Sequence, residues 1–197
     1  MVDTPLEPLA RALDLFGGLV AAVGPDQWFL STPCDAWNVE QLVGHVVSGQ
    51  RLFARVLAGE PIEAVKAQTR DCPITDGGSD VVSAYRASAE HLLAAFGNPG
   101  ALERIVTVPA GTVPGAVAVH LRTTEALVHG WDLARATGPR FDVPPDLAEG
   151  ELAFSGPMLD RIPPERRPFG PSRPVGDDAP AIDRLAALLG RDPGAWI

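Results

Sequence analysis

Four stretches of this chain repeat apolar residues at the spacing of one helical face, and each is shut off by glycine, alone or with proline. In the first, Leu9, Leu13, Phe16, Leu19, Val20 and Val23 recur until Gly24-Pro25. The second carries Val39, Leu42, Val43, Val46, Phe53, Val56 and Leu57 and closes at Gly59. The third carries Val81, Val82, Tyr85, Ala89, Leu92, Leu93 and Phe96 before Gly97-Asn98-Pro99-Gly100, and the fourth runs from Pro114 to Thr137 before Gly138-Pro139. Strands bury every second residue, so this pattern points to four long helices rather than a sheet. Start signals agree: Thr4-Pro5-Leu6-Glu7 reads as a capping box, and Asn38 and Ser79 stand where N-caps belong.

Four such stripes are best buried against one another, which predicts an all-α four-helix bundle over residues 1–140. Residues 59–78 form a connector long enough to cross the bundle, so the second and third helices are expected to run parallel, in an up-down-down-up order. Residues 103–108 (ERIVTV) alternate β-branched side chains and are expected to be extended, with no partner strand visible. Residues 141–197 read as a C-terminal extension packed on the same domain. It comprises a helix over 144–160 interrupted at Gly156-Pro157, a proline-rich strap over 161–180, and a short helix. That last helix opens at Asp178-Ala179-Pro180, carries Ile182, Leu185, Leu188 and Leu189, and ends at Gly190.

Charge narrows the partners. With 25 acids against 16 bases the net charge is −9, which repels nucleic acid and anionic lipid unless a basic patch forms. Arg161, Arg166, Arg167 and Arg173 are the only candidates, and they read as a solvated linker among prolines and acids. The longest uncharged run, Ile105 to Leu121, is broken by prolines and glycines and falls short of the ~20 apolar residues of a membrane span. Cys34 and Cys72 form no CxxC pair, and MVDTPLEPLA lacks the basic start and apolar run of a signal peptide. A cytoplasmic protein with reduced thiols is expected.

The chemistry concentrates in two helices. Glu125 and His129 stand at i and i+4 on the face of the fourth helix that also carries Ala118, Leu121, Asp132 and Ala136, a face that looks inward. A buried carboxylate and imidazole need a partner, and a metal ion is one. Such a pair alone is more often a surface pair. His45 flanks the apolar stripe of the second helix, and alone it reads as a core histidine bonded to a carbonyl. Together the two half-sites leave a three-ligand metal centre and a metal-free bundle equally open. Two imidazoles and a carboxylate suit zinc, nickel or iron(II), and three protein ligands leave coordination positions for water or substrate.

The segments TPCDAWNVEQLVGHVV (32–47) and TTEALVHGWDLARATG (123–138), with the tail RPFGP and DRLAALLGRDP, resemble the DinB-like family that includes mycothiol-dependent maleylpyruvate isomerases. The resemblance runs nearly end to end and is strongest over residues 30–57 and 112–138. It implies a DinB-like four-helix bundle in which His45, Glu125 and His129 match the family's metal ligands. It also implies that the metal, zinc first, activates a low-molecular-weight thiol such as mycothiol for attack on a small electrophile. Residues 140–197 are shorter than the C-terminal domain of the isomerase proper, so the expectation stays at the class of small electrophiles.

No catalytic residue or thiol-binding residue is singled out by the sequence. Asp132 reads equally as an orienter of His129 or as a helix cap. Arg122 reads as the partner of a nearby acid, with an anionic thiol or substrate as its other use. Trp37 and Trp131 read as packing anchors, Cys34 as a small packed residue, and His120 and His91 as lying off the centre. The function is thus expected to be metal-dependent thiol transfer or isomerisation, with a non-catalytic metal- or ligand-binding module as the alternative. The partners expected are a small thiol and an electrophile, with no nucleic acid and no membrane. An apolar face on the first or fourth helix could support a homodimer.

Overall fold

The computed structural model of the chain describes residues 6–69, 79–163, 167 and 169–195; the expected Thr4 cap, Cys72 and Arg166 lie outside the described residues, as does the side chain of Ser79. The helices are α1 (Glu7–Ala22), α2 (Val39–Leu57), α3 (Ile62–Thr69), α4 (Ser79–Gly97), α5 (Gly115–Thr137), α6 (Pro145–Asp160) and α7 (Ala181–Leu188). A hairpin of β1 (Ile105–Val108) and β2 (Gly111–Pro114) precedes α5. The architecture is all-α apart from that hairpin, as the four apolar stripes require.

α1 packs against α4 and α5, and α2 packs against the same two, so the four long helices close a ring. Leu9, Leu13 and Phe16 of α1, Leu42, Val43 and Val46 of α2, Leu92 and Phe96 of α4, and Leu127 and Val128 of α5 fill it. Each fully buried side chain of this size contributes about 1.5–3 kcal/mol relative to exposure. The start of α2 is fixed by reciprocal bonds. Asn38 Oδ1 accepts from the Gln41 amide at 2.9 Å and Gln41 Oε1 accepts from the Asn38 amide at 3.1 Å. Such a cap is worth about 0.5–2 kcal/mol.

Three expectations need correction. The connector after α2 is not all loop: Ile62–Thr69 folds as α3, with Val65 buried beneath it. Residues 105–108 do find a partner, because Gly111–Pro114 pairs with them antiparallel across a turn holding Pro109, with Val106 opposite Val113. Proline presets the turn, and Gly111 takes a φ of 124°, open to a residue without Cβ. Finally, α6 runs unbroken through Gly156-Pro157. Pro157 sits near the helix end, where its missing N–H removes a single ladder bond.

The C-terminal elements explain why α5 is buried on nearly all sides. α6 and α7 pack on each other and on α5, and Leu147, Leu159 and Leu185 join the same apolar core. Trp131 Nε1 donates to Asp183 Oδ1 of α7 at 2.7 Å, and His120 Nδ1 lies 2.9 Å from Glu151 Oε1 of α6 while its ring stacks on Phe154. The helix ends at Gly138, whose φ of 97° lets its amide bond back to the Ala134 carbonyl.

Candidate metal centre

α2 and α5 bring the three expected residues together. His45 Nε2 lies 3.1 Å from Glu125 Oε2, and His129 Nε2 lies 3.2 Å from the same oxygen. One ligand atom from each of the three falls within 4.8 Å of the others, and they are the sole such group of three or more acids, histidines and cysteines among the described residues. Atoms bound at zinc distances of about 2.0–2.1 Å in a tetrahedron stand about 3.3–3.4 Å apart, close to these separations.

Second contacts fix each imidazole. Asp132 Oδ2 accepts from His129 Nδ1 at 3.0 Å, which turns Nε2 toward Glu125. Arg191, just past α7, grips both oxygens of Asp132: Nε donates to Oδ1 at 3.1 Å and Nη2 to Oδ2 at 2.7 Å. The His45 ring is stacked on Trp37, with centroids 4.1 Å apart. Trp37 is set there by Thr32, whose hydroxyl donates toward the Cys34 carbonyl (3.1 Å) and the Trp37 carbonyl (2.8 Å), folding the TPCDAW loop back on itself.

The decisive atom is His129 Nε2. The side chain is 2% exposed, and this nitrogen has no well-aligned hydrogen bond, its near polar neighbour being Glu125 Oε2 at 3.2 Å. A buried nitrogen and a carboxylate oxygen that face each other off the hydrogen-bond axis are poorly satisfied as a pair, and a cation between them would serve both. Burial works against ionisation of Glu125, but the imidazoles of His129 and His45 and the Arg122 guanidinium hold its carboxyl well below the usual range. Burial likewise lowers the pKa of His129, while Asp132 and Glu125 raise it further than burial lowers it. That is a pull on positive charge at the point where the three ligand atoms meet. Donor chemistry, spacing and the poorly satisfied nitrogen all fit a divalent cation.

Access is from one side. The His45 side chain is 37% exposed and that of Glu125 is 22% exposed, whereas His129 is sealed. No fourth acid, histidine or cysteine joins the cluster among the described residues. Two surface clefts of about 530 and 470 Å³ flank residues 139–144, and neither is lined by His45, Glu125 or His129.

The profile of the mycothiol maleylpyruvate isomerase N-terminal domain matches residues 9–134, which carry all three residues of the centre and Asp132. The chain belongs to that family. Two curated uncharacterized proteins of Mycobacterium tuberculosis, from strains CDC 1551 / Oshkosh and ATCC 25618 / H37Rv, are each 39% identical over 191 residues, 95% of this chain and 97% of theirs. Crystal structures of the mycothiol-dependent maleylpyruvate isomerase and of a histidine-to-alanine mutant of it superpose with TM-scores of 0.57 and 0.61. Each match is at 18% identity and covers 74% of this chain and 67% of that one, which is a likeness of fold.

Within this family member, other residues named from sequence fall as follows. Asp132 is the hydrogen-bond partner of His129. Arg122 lies 4.0 Å from Glu125 Oε2, one turn along α5 and 3% exposed. Cys34 is half-buried, and burial pushes its thiol pKa up, so it stays a packed thiol. His91 is exposed and His120 faces α6. Sequence reasoning passed over Arg191, whose only signal was a charged residue directly after the terminating Gly190. It also passed over Trp37 as the stacking partner of His45, for which the TPC-x-x-W loop was a usable signal.

Proposed function

We propose that this chain holds one divalent cation, zinc first and nickel or iron(II) otherwise, between His45 Nε2, Glu125 Oε2 and His129 Nε2. In this reading it serves a low-molecular-weight thiol of the mycothiol kind in S-transfer to, or isomerisation of, a small electrophile. The observation that carries the metal is the sealed His129 Nε2, without an aligned hydrogen bond, converging with the Glu125 carboxylate and a second imidazole within 4.8 Å. The thiol rests on family membership and on the mycothiol dependence of the structurally similar isomerase.

When bound, the cation would stabilise thiolate over thiol, as a metal lowers the pKa of bound water. The residues of the chain do the positioning. Asp132 holds the Nδ1 proton of His129 and so presents Nε2 in one tautomer, and Arg191 fixes Asp132 in turn. Trp37 limits rotation of His45, and the exposed edge of His45 is the side from which a thiol reaches the centre. A small electrophile arriving from that side would meet the sulfur held there, and no helix among the described residues is long and apolar enough to cross a membrane.

The test is metal content of protein purified without an affinity tag, measured by mass spectrometry beside His129→Ala. About one equivalent in the wild type and its loss in the variant is expected for three cooperating ligands. Absence of uptake from Zn, Ni or Fe(II) solutions refutes the reading. Mycothiol binding that requires the metal then supports the transferase role, and its absence leaves a metal-holding module.

A further inference from the structure

We infer that Arg122 sets the charge preference of this centre, so that its exogenous ligand is bound as an anion rather than as a neutral donor. The inference rests on the metal reading above and names the residue that sets the charge of the ligand taken there.

Both acids of the centre are already matched by buried guanidinium groups. Asp132, fully buried, is held in a fork by Arg191, itself 8% exposed. Glu125 faces Arg122, whose Nη1 is 4.0 Å from Oε2. The other contacts of Arg122 among the described residues are uncharged. Nη2 reaches the Val46 carbonyl at 3.5 Å, the guanidinium lies 5.1 Å above the Phe53 ring, and Nε has no hydrogen-bond partner. The fold makes room for it at Gly49, where a Cβ would come within 2.6 Å of Nη1.

A cation this deeply buried without a full ion pair is costly, and an apolar side chain would pack there more cheaply. Its electrostatic effect is the reason to keep it. Two neutral imidazoles and a carboxylate would offset one unit of a divalent charge, but Arg122 cancels that unit from the core side. The incoming ligand therefore meets nearly the whole charge of the ion and is favoured as a thiolate or another monoanion, its proton released to solvent. His45 and Glu125 are the partly exposed members and Arg122 is sealed, so the anion comes from the solvent side of His45 and Glu125.

The experiment uses full-length protein loaded with Co(II), titrated with thiocyanate as the anion and imidazole as the neutral ligand, and read by visible absorption. In Arg122→Met, thiocyanate affinity is expected to fall about 10- to 100-fold, as for one unit charge lost about 6–12 Å from the ligand in a partly buried site. Imidazole affinity should hold, Co(II) itself should bind more tightly, and Arg122→Lys should behave as wild type. Arg122→Gln repeats the measurement if the Met variant does not fold. Equal losses for thiocyanate and imidazole, or no change in either, overturn the inference and leave Arg122 a packing residue. A wild type that takes up no Co(II) overturns instead the metal reading beneath it, and this inference with it.

Discussion

Replacing Arg191 by Met isolates the contribution of the C-terminal segment to the centre. The change keeps an unbranched stem against Phe169 but removes the fork on Asp132, leaving a fully buried carboxylate with, among the described residues, only the Nδ1–H of His129. Removing one partner of a buried ion pair costs about 3–5 kcal/mol. The surviving imidazole contact places this case near about 3 kcal/mol. In a chain of this length each kcal/mol moves the midpoint by about 2–4 °C, so Tm should fall by about 6–12 °C in calorimetry. The second arm is Arg191→Met combined with Asp132→Asn, which removes the stranded charge along with its partner. Because the loss comes from an uncompensated carboxylate, the double variant should recover a good part of the stability lost in the single one. A single variant within about 1 kcal/mol of wild type, or a double variant that is merely the sum of its parts, refutes the argument and means that Asp132 finds its compensation elsewhere.

Two further perturbations test other parts of the fold. The hydrogen bond to buried Glu151 raises the pKa of half-exposed His120 above its ordinary value, a gain only partly opposed by burial. A raised folded pKa means stabilisation that is complete below the unfolded value of about 6.5 and lost as pH rises through the folded one. The Tm advantage of wild type over His120→Gln should thus be greatest near about pH 6 and shrink toward about pH 8.5; an advantage independent of pH counts against this contact. At Gly115 an added Cβ would sit 1.9 Å from the Ala101 carbonyl, which is backbone and cannot swing aside, whereas at exposed Gly18 it meets nothing within 4 Å. Gly115→Ala should destabilise by about 1–3 kcal/mol or more. Gly18→Ala should stabilise by up to about 1 kcal/mol, and urea titrations giving both the same sign would contradict the packing described.

The helices themselves were legible because their cause is local. The apolar stripes of α1, α2 and α4 are a property of spacing along the chain, and the Asn38–Gln41 box and the Gly138 stop act within a few residues. The hairpin escaped because Thr112 and Val113 acquire meaning only when paired across Pro109, and α3 escaped because its amphipathic signal is short and weak.

The centre divides along the same line. Sequence alone put Glu125 and His129 on one inward face and placed His45 on another helix. It could not show that Nε2, Oε2 and Nε2 meet at one point, because that depends on how α2 and α5 cross in the ring. Nor could it choose the role of Asp132. That choice is made by Arg191, 59 residues away in sequence, which reaches Asp132 only because the tail returns over α5. The composition of a helical face is written in the order of residues, but which faces share a volume is decided by packing.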